Sequence, residues 1–256
     1  MPRYERPSAL SFALFVAAVA FLLWSFASVD LSWERLQRGI PAMGNLVWRM
    51  LPPDFERWPR ILHTLLITFQ MALVGAVLGI VFAFPLAVLA AEGLSPNRLV
   101  RSAARGLIAF FRTVPDLVWA LVFVIAVGLG PAAGMLAIMV DKIGFAGRFF
   151  AEAMEETDKG PREALAALGA TRAGIIFSAV VPEAMPSFIA TSLFSLEKAV
   201  RGSVILGLVG AGGIGVELKV AFDLFDYDGA CAIIICIFLL VVAVEQASNA
   251  IRRRLM

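Results

Sequence analysis

Glu197, Lys198 and Arg201 fall within an otherwise apolar stretch of this chain, and Arg112 and Asp116 sit at the head of another. A charge inside a membrane-spanning segment is costly, so it marks an ion path, a substrate site or a structural lock. Glu197 and Arg201 stand four apart with the acid first, the favourable order for a helix pair, and Arg112 and Asp116 repeat the spacing. Thr191, Ser195, Lys198 and Gly202 share one helical face at the 3.6-residue period. Two chemistries fit. In one, the charges are pairs that lock helices together. In the other, Arg112, Asp116, Ser195, Glu197, Lys198 and Arg201 line a water-filled path whose cations attract an anion. Both stay open.

Other reactive residue types are sparse. His63 is the single histidine and reads as packed or interfacial, with no second histidine to build a site. Cys231 and Cys236 lie in one apolar run and read as core or lipid-facing residues, not as a disulfide or metal pair. Gly210, Gly212 and Gly215 satisfy G-x-G-x-x-G, but their flanks are apolar spans instead of the alternating strands and helices a dinucleotide site needs. They read as a bend at the outer face. No G-x-x-x-x-G-K-[ST] occurs, so ATP hydrolysis by a P-loop is not expected of this chain.

The elements that carry these residues are membrane helices. The 256 residues are 60% hydrophobic and 16% charged, well above and below the soluble averages. A net charge of +2 gives no case for nucleic acid. A bilayer core takes about 20 apolar residues of helix. Spans are expected at 9–29, 61–91, 107–130, 132–150, 183–206 and 229–244, with Pro85 offering a bend in the second. The class is therefore all-α, a polytopic membrane protein of about six transmembrane helices. The first span has a basic flank, Arg3 and Arg6, but is too long and too poorly cleavable for a signal peptide. Residues 30–60 alternate Trp33, Trp48 and Trp58 with Arg35, Arg38, Arg49 and Arg57, as an interfacial segment does, and Pro52-Pro53 breaks it. Basic residues at the N-terminus, at 98–105, at 151–182 and at Arg252–Arg254 place both termini in the cytoplasm. The basic segment at 30–60, assigned outside, runs against that rule.

The loop at 155–182 carries the most local information. Pro161 suits the first turn of a helix, Glu163 suits its positive end, and 163–168 are strong helix formers. Gly169 supplies a left-handed stop, and Thr171 can cap a second helix carrying Ile175, Ile176 and Val180 toward Pro182. Glu163-Ala164, Gly169 and Val181-Pro182 resemble the EAA loop of ABC importer permeases, with Leu165 in place of the second alanine and the glycine one residue late. The stretches 68–75, 112–123, 127–131 and 200–215 resemble the phosphonate-type permeases in particular, and the likeness covers about 60–250.

That resemblance implies a type I ABC importer transmembrane domain at 61–250, preceded at 1–60 by one helix and an interfacial or periplasmic segment. It implies a multi-pass protein of the bacterial inner membrane that moves a phosphonate, phosphite or hypophosphite. Glu163, Ala164, Leu168 and Gly169 would meet the ATPase subunit. The implied partners are two ABC ATPase copies, a periplasmic substrate-binding protein, a second permease in a homodimer or heterodimer, and the bilayer. The chain would be no enzyme and bind no cofactor or metal, with ATP and Mg on the ATPase. A methionine-type permease, or a secondary transporter or channel, are the alternatives.

Overall fold

A computed structural model of the chain describes residues 8–29 and 32–255. Arg3, Arg6 and Asp30 lie outside the described residues. Among those described there is no strand, and eleven α-helices follow one another along the chain.

Two compact units are present, 1–51 and 52–256. The first holds α1 (Ala9–Ser28), an apolar helix capped by the Ser8 side chain, and α2 (Trp33–Arg49), capped by Ser32. In α2, Trp33, Leu36, Ile40, Met43 and Val47 recur at helical spacing, all exposed apart from the shallow burial of neighbouring turns. The expected interfacial segment is thus an amphipathic helix.

The second unit is a bundle around α6 (Pro131–Glu155), which packs on α3 (Trp58–Ala90), α4 (Arg98–Thr113), α5 (Asp116–Val127) and α9 (Val181–Leu208). The α3–α6 contact is built from small residues. Ala72, Ala76, Gly79, Ala83, Ala87 and Ala90 line the buried side of α3, and a Cβ added at Gly79 would lie 2.5 Å from the Cβ of Lys142. Small side chains let helix backbones approach closely where water supplies no driving force. Between α6 and α9 lie α7 (Lys159–Ala167) and α8 (Arg172–Ile175), with a π-helical turn at Ile176–Val180 leading directly into α9. After α9 the chain reverses through α10 (Ile214–Asp223) and ends with α11 (Tyr227–Leu255).

Among the described residues, four helical segments are long and apolar enough to cross a membrane: α1, α3, Arg172–Leu208 and α11. The α4–α5 pair makes a fifth if counted as one crossing. The expected third span at 107–130 is not a single rod, because α4 and α5 meet at 88°. Pro115 has no N–H to continue the ladder and pushes Val114 to an extended conformation, φ −80° and ψ 120°. The remaining expected span, 132–150, is α6. It has the length, but Asp141, Lys142, Arg148 and Glu152 make it too polar to qualify by composition. As the centre of the bundle it is covered by four neighbours and has little need of an apolar exterior.

Candidate translocation site and coupling hairpin

The ionisable residues of the spans are spread over α4, α5, α6, α9 and α11 and fall into separate groups. Arg112, in the last turn of α4, is exposed, and the turn itself lies on α6, where a Cβ at Gly144 would be 3.0 Å from the Arg112 backbone nitrogen. Arg112 lines a cavity of about 470 Å³ with Arg105, Arg148, Glu152 and Glu155. Asp116 begins α5 on the far side of the bend. It does not pair with Arg112, because the four-residue spacing presumes one continuous helix. Its carboxylate accepts from the Leu117 N–H at 3.0 Å and faces Gly202 of α9.

The expected Glu197–Arg201 pair is also replaced. Glu197 accepts from Arg252 of α11, Nη2 to Oε1 3.2 Å, with the Glu197 side chain only 11% exposed. A partner from another helix, brought in by packing, displaces the local one. Arg201 is left exposed, and no ion pair is found for it among the described residues. The predicted polar stripe divides as well. Ser195 is fully buried and its Oγ has no hydrogen-bond partner. Lys198 is on the outer side, its side chain 46% exposed. Phe194, Lys198, Arg201, Ile205 and Leu208 share the exposed face of α9.

One group was passed over in the sequence. Lys142, 2% exposed, places Nζ 2.6 Å from Asp141 Oδ2, and Lys198 Nζ lies 3.5 Å from the same oxygen. Both ammonium groups stand over the Phe145 ring, at 5.9 and 5.0 Å from its centroid, within cation–π range. Adjacent helix residues do not normally face each other, so Asp141-Lys142 gave no spacing signal. The signal available was two opposite charges side by side within an apolar run.

The hairpin forms from the predicted residues. Asp158 caps α7 by accepting from the Gly160 N–H at 3.0 Å. At the far end the Gly169 N–H donates to Ala166 O at 3.0 Å and the Ala170 N–H to Leu165 O at 3.0 Å, a Schellman stop with Gly169 at φ +79°. Thr171 then caps α8, accepting from the Gly174 N–H at 3.2 Å, while Ile176 and Val180 are buried. Glu163, Ala164 and Leu168 point outward, Leu168 with 84% of its surface exposed.

Two ties hold the hairpin to the bundle. The Glu183 carboxylate, in the first turn of α9, accepts from the Asp158 N–H at 2.8 Å. Arg162 covers Gly93 in the α3–α4 loop, beside a cavity of about 530 Å³ lined in part by Glu92, Glu155, Lys159 and Glu163. Glu155 is the junction: it takes the Glu92 N–H at 2.7 Å and Arg105 Nη2 at 2.5 Å. Glu92 in turn pairs with Arg101 at 2.8 Å, and that hydrogen bond and charge hold its carboxyl below the ordinary value of 4.5.

At the opposite end, the glycine-rich turn packs α10 against α9 and α3. Thr68, fully buried on α3, accepts from the Ile214 N–H at 2.7 Å and donates to Thr64 O at 2.7 Å. The Gly130 N–H donates to Gly210 O at 3.0 Å, joining this turn to the α5–α6 loop. The expected bend is therefore a tight reversal with close backbone packing.

Residues 79–256 match the family of binding-protein-dependent transport system inner membrane components. The chain belongs to this family. It is 38% identical over 241 residues to HtxC of Stutzerimonas stutzeri, ascribed to a phosphite transport system, covering 94% of this chain and 86% of that one. It is 34% identical over 241 residues to the phosphite transport system permease protein PtxC of the same organism, covering 94% and 87%. The phosphate-import permease protein PhnE of Mycolicibacterium smegmatis is 40% identical over 216 residues, covering 84% of this chain and 40% of that longer one. Among solved structures, an inward-facing methionine ABC transporter superposes with a TM-score of 0.69 at 24% identity, covering 78% of this chain and 99% of that chain. An amino acid ABC transporter gives 0.67 at 17% identity, covering 80% and 100%. These two likenesses show the fold. The inner membrane component thus has the all-helical fold of these ABC transporter chains, the fold that the resemblance implied.

Proposed function

We propose that this inner membrane component is the permease subunit through which an ATP-driven importer moves a phosphorus oxyanion, such as phosphite or a phosphonate. The observation that carries the reading is the likeness to two permeases of phosphite systems across 94% of this chain and more than four-fifths of theirs. The charges agree with it. A lysine or arginine facing lipid is expensive, so the exposed face of α9 with Lys198 and Arg201 belongs against water or a second permease copy. Arg112, Asp116, Lys198 and Arg201 line the path, Ser195 stands behind it, and Glu197 with Arg252 locks α9 to α11.

In this reading the hairpin at 155–182 is cytoplasmic. Glu163, Ala164, Leu168 and Gly169 dock on an ATPase subunit, one for each of two permeases, and ATP with Mg stays on that subunit. A periplasmic binding protein delivers the anion at the opposite face. With the bundle-covered α6 counted as a sixth crossing beside the five apolar ones, both termini lie in the cytoplasm, beneath a bacterial inner membrane.

The test is growth. The chain is expressed with its ATPase and binding protein in a strain that lacks phosphorus-oxyanion importers. Growth on phosphite or methylphosphonate as sole phosphorus source is the expected result. Rescue of a methionine-uptake strain, without growth on either phosphorus source, overturns the substrate assignment.

A further inference from the structure

Lys142, Asp141 and Lys198 form a charge group whose parts are unequal. Both lysines address one oxygen, Asp141 Oδ2, but Lys142 holds it at 2.6 Å and Lys198 at 3.5 Å. Lys142, only 2% exposed, is enclosed in the bundle against α3, where Gly79 leaves room for its Cβ. A buried ammonium needs a fixed counter-charge, so Asp141 is committed to Lys142. One carboxylate cannot neutralise two ammonium groups. The unbalanced positive charge therefore sits on Lys198, the member that is 46% exposed. Asp116, the next carboxylate, forms no ion pair with either lysine among the described residues and is turned to its own backbone and Gly202.

We propose that Asp141 is the resident counter-ion of a transit site at Lys198, an inference that rests on the oxyanion-transport reading. An arriving oxyanion takes the Lys198 ammonium from Asp141. Lys142 keeps Asp141 in place, and Asp141 then competes for Lys198 and drives the anion onward. The carboxylate keeps occupancy brief, which a pump requires of a site midway along its path. The same arrangement selects by charge, because a neutral or zwitterionic solute has too little attraction for Lys198 to displace a carboxylate already beside it.

The test uses the complete transporter, with its ATPase and binding protein, in proteoliposomes with ATP inside. Phosphite is the probe, supplied outside with saturating binding protein and preloaded inside at increasing concentration. Asp141→Asn with Lys142→Met removes the resident counter-ion without stranding the buried ammonium. This variant is expected to be inhibited by internal phosphite at a concentration at least tenfold lower than wild type. Lys198→Gln alters an exposed side chain and leaves packing intact. It is expected to lose at least tenfold in uptake rate while binding-protein-stimulated ATP hydrolysis persists, and Lys198→Arg restores most of the rate. Wild-type uptake by Lys198→Gln, or wild-type insensitivity to internal phosphite in the double variant, overturns the proposal while leaving the transport reading standing. Absence of phosphite uptake by the wild-type complex overturns the substrate reading and this inference with it.

Discussion

The backbone N–H of Asp158 donates to the carboxylate of Glu183 across 2.8 Å, tying the start of the α7 hairpin to the first turn of α9. The bond spans the whole hairpin. Any force applied to α7 reaches α9 by this bond as well as through the chain itself. Glu183→Ala removes the acceptor at an exposed site, at a cost of about 1 kcal/mol. Hydrogen exchange at the Asp158 amide is expected to rise by a factor of about five. Uptake per ATP hydrolysed should fall in the same variant, and unchanged ratios would show that the tie is not used in coupling.

Glycine is needed at both ends of the bundle for different reasons. Gly169, at φ +79°, has open space around it, so Gly169→Ala meets only the left-handed backbone penalty of about 1–2 kcal/mol. The fold should persist, with a melting temperature a few degrees lower and faster exchange at Ala170. Gly212 is at φ +83° and its added Cβ would lie 2.5 Å from the Pro131 nitrogen. Gly212→Ala is expected to abolish accumulation of folded protein in the membrane, read by size-exclusion chromatography of the solubilised chain.

Arg252 and Arg201 separate structural from functional charge. Arg252→Ala leaves Glu197 enclosed without its cation, which costs about 2 kcal/mol, less than a fully buried pair because Arg252 keeps some exposure. Detergent-solubilised protein should melt roughly 4–8 °C lower. Arg201→Ala should leave the melting temperature unchanged and abolish uptake with the complex still assembled. Normal uptake by Arg201→Ala removes this residue from the path.

The Glu92–Arg101 pair gives a pH signature outside the spans. Arg101 holds the Glu92 carboxyl below 4.5, so the pair's contribution is present above that value and is lost only as pH falls through the lower folded one. At neutral pH the tether is fully formed. Arg101→Gln should return the Glu92 carboxyl toward 4.5, measured by carbon-13 NMR of the glutamate side chain in nanodiscs.

Much of the hairpin was legible because its signals are local. Pro161, Gly169 and Thr171 each act within a turn, and each falls where backbone geometry favours that residue type. The apolar spans were legible from composition for the same reason that they must face lipid. The 88° bend was missed because apolar residues stand on both sides of it, although Pro115, between Arg112 and Asp116, carried the warning. Tertiary charge pairing was not legible. Glu197 had an acceptable partner four residues away, and only the packing of α11 on α9 decides for Arg252. Lys142 was visible but unassigned, since nothing in its spacing says that α3 closes over it.

The π-helical turn at Ile176–Val180 has one more residue per hydrogen-bonded ring than an α-turn. The wider ring winds fewer degrees per residue than the roughly 100° of an α-helix, so the turn takes up one extra residue locally. The hairpin and α9 therefore keep nearly the angular relation of an unbroken α-helix, although the chain between Arg172 and Leu208 carries one residue more than such a helix needs. Deleting one residue here would close the turn into regular α-helix and leave Leu168 on nearly its present heading. Inserting a residue elsewhere in α9, where no such slack exists, would swing the docking tip about a quarter turn. The turn is thus the one place in this helix where residue count and heading are uncoupled.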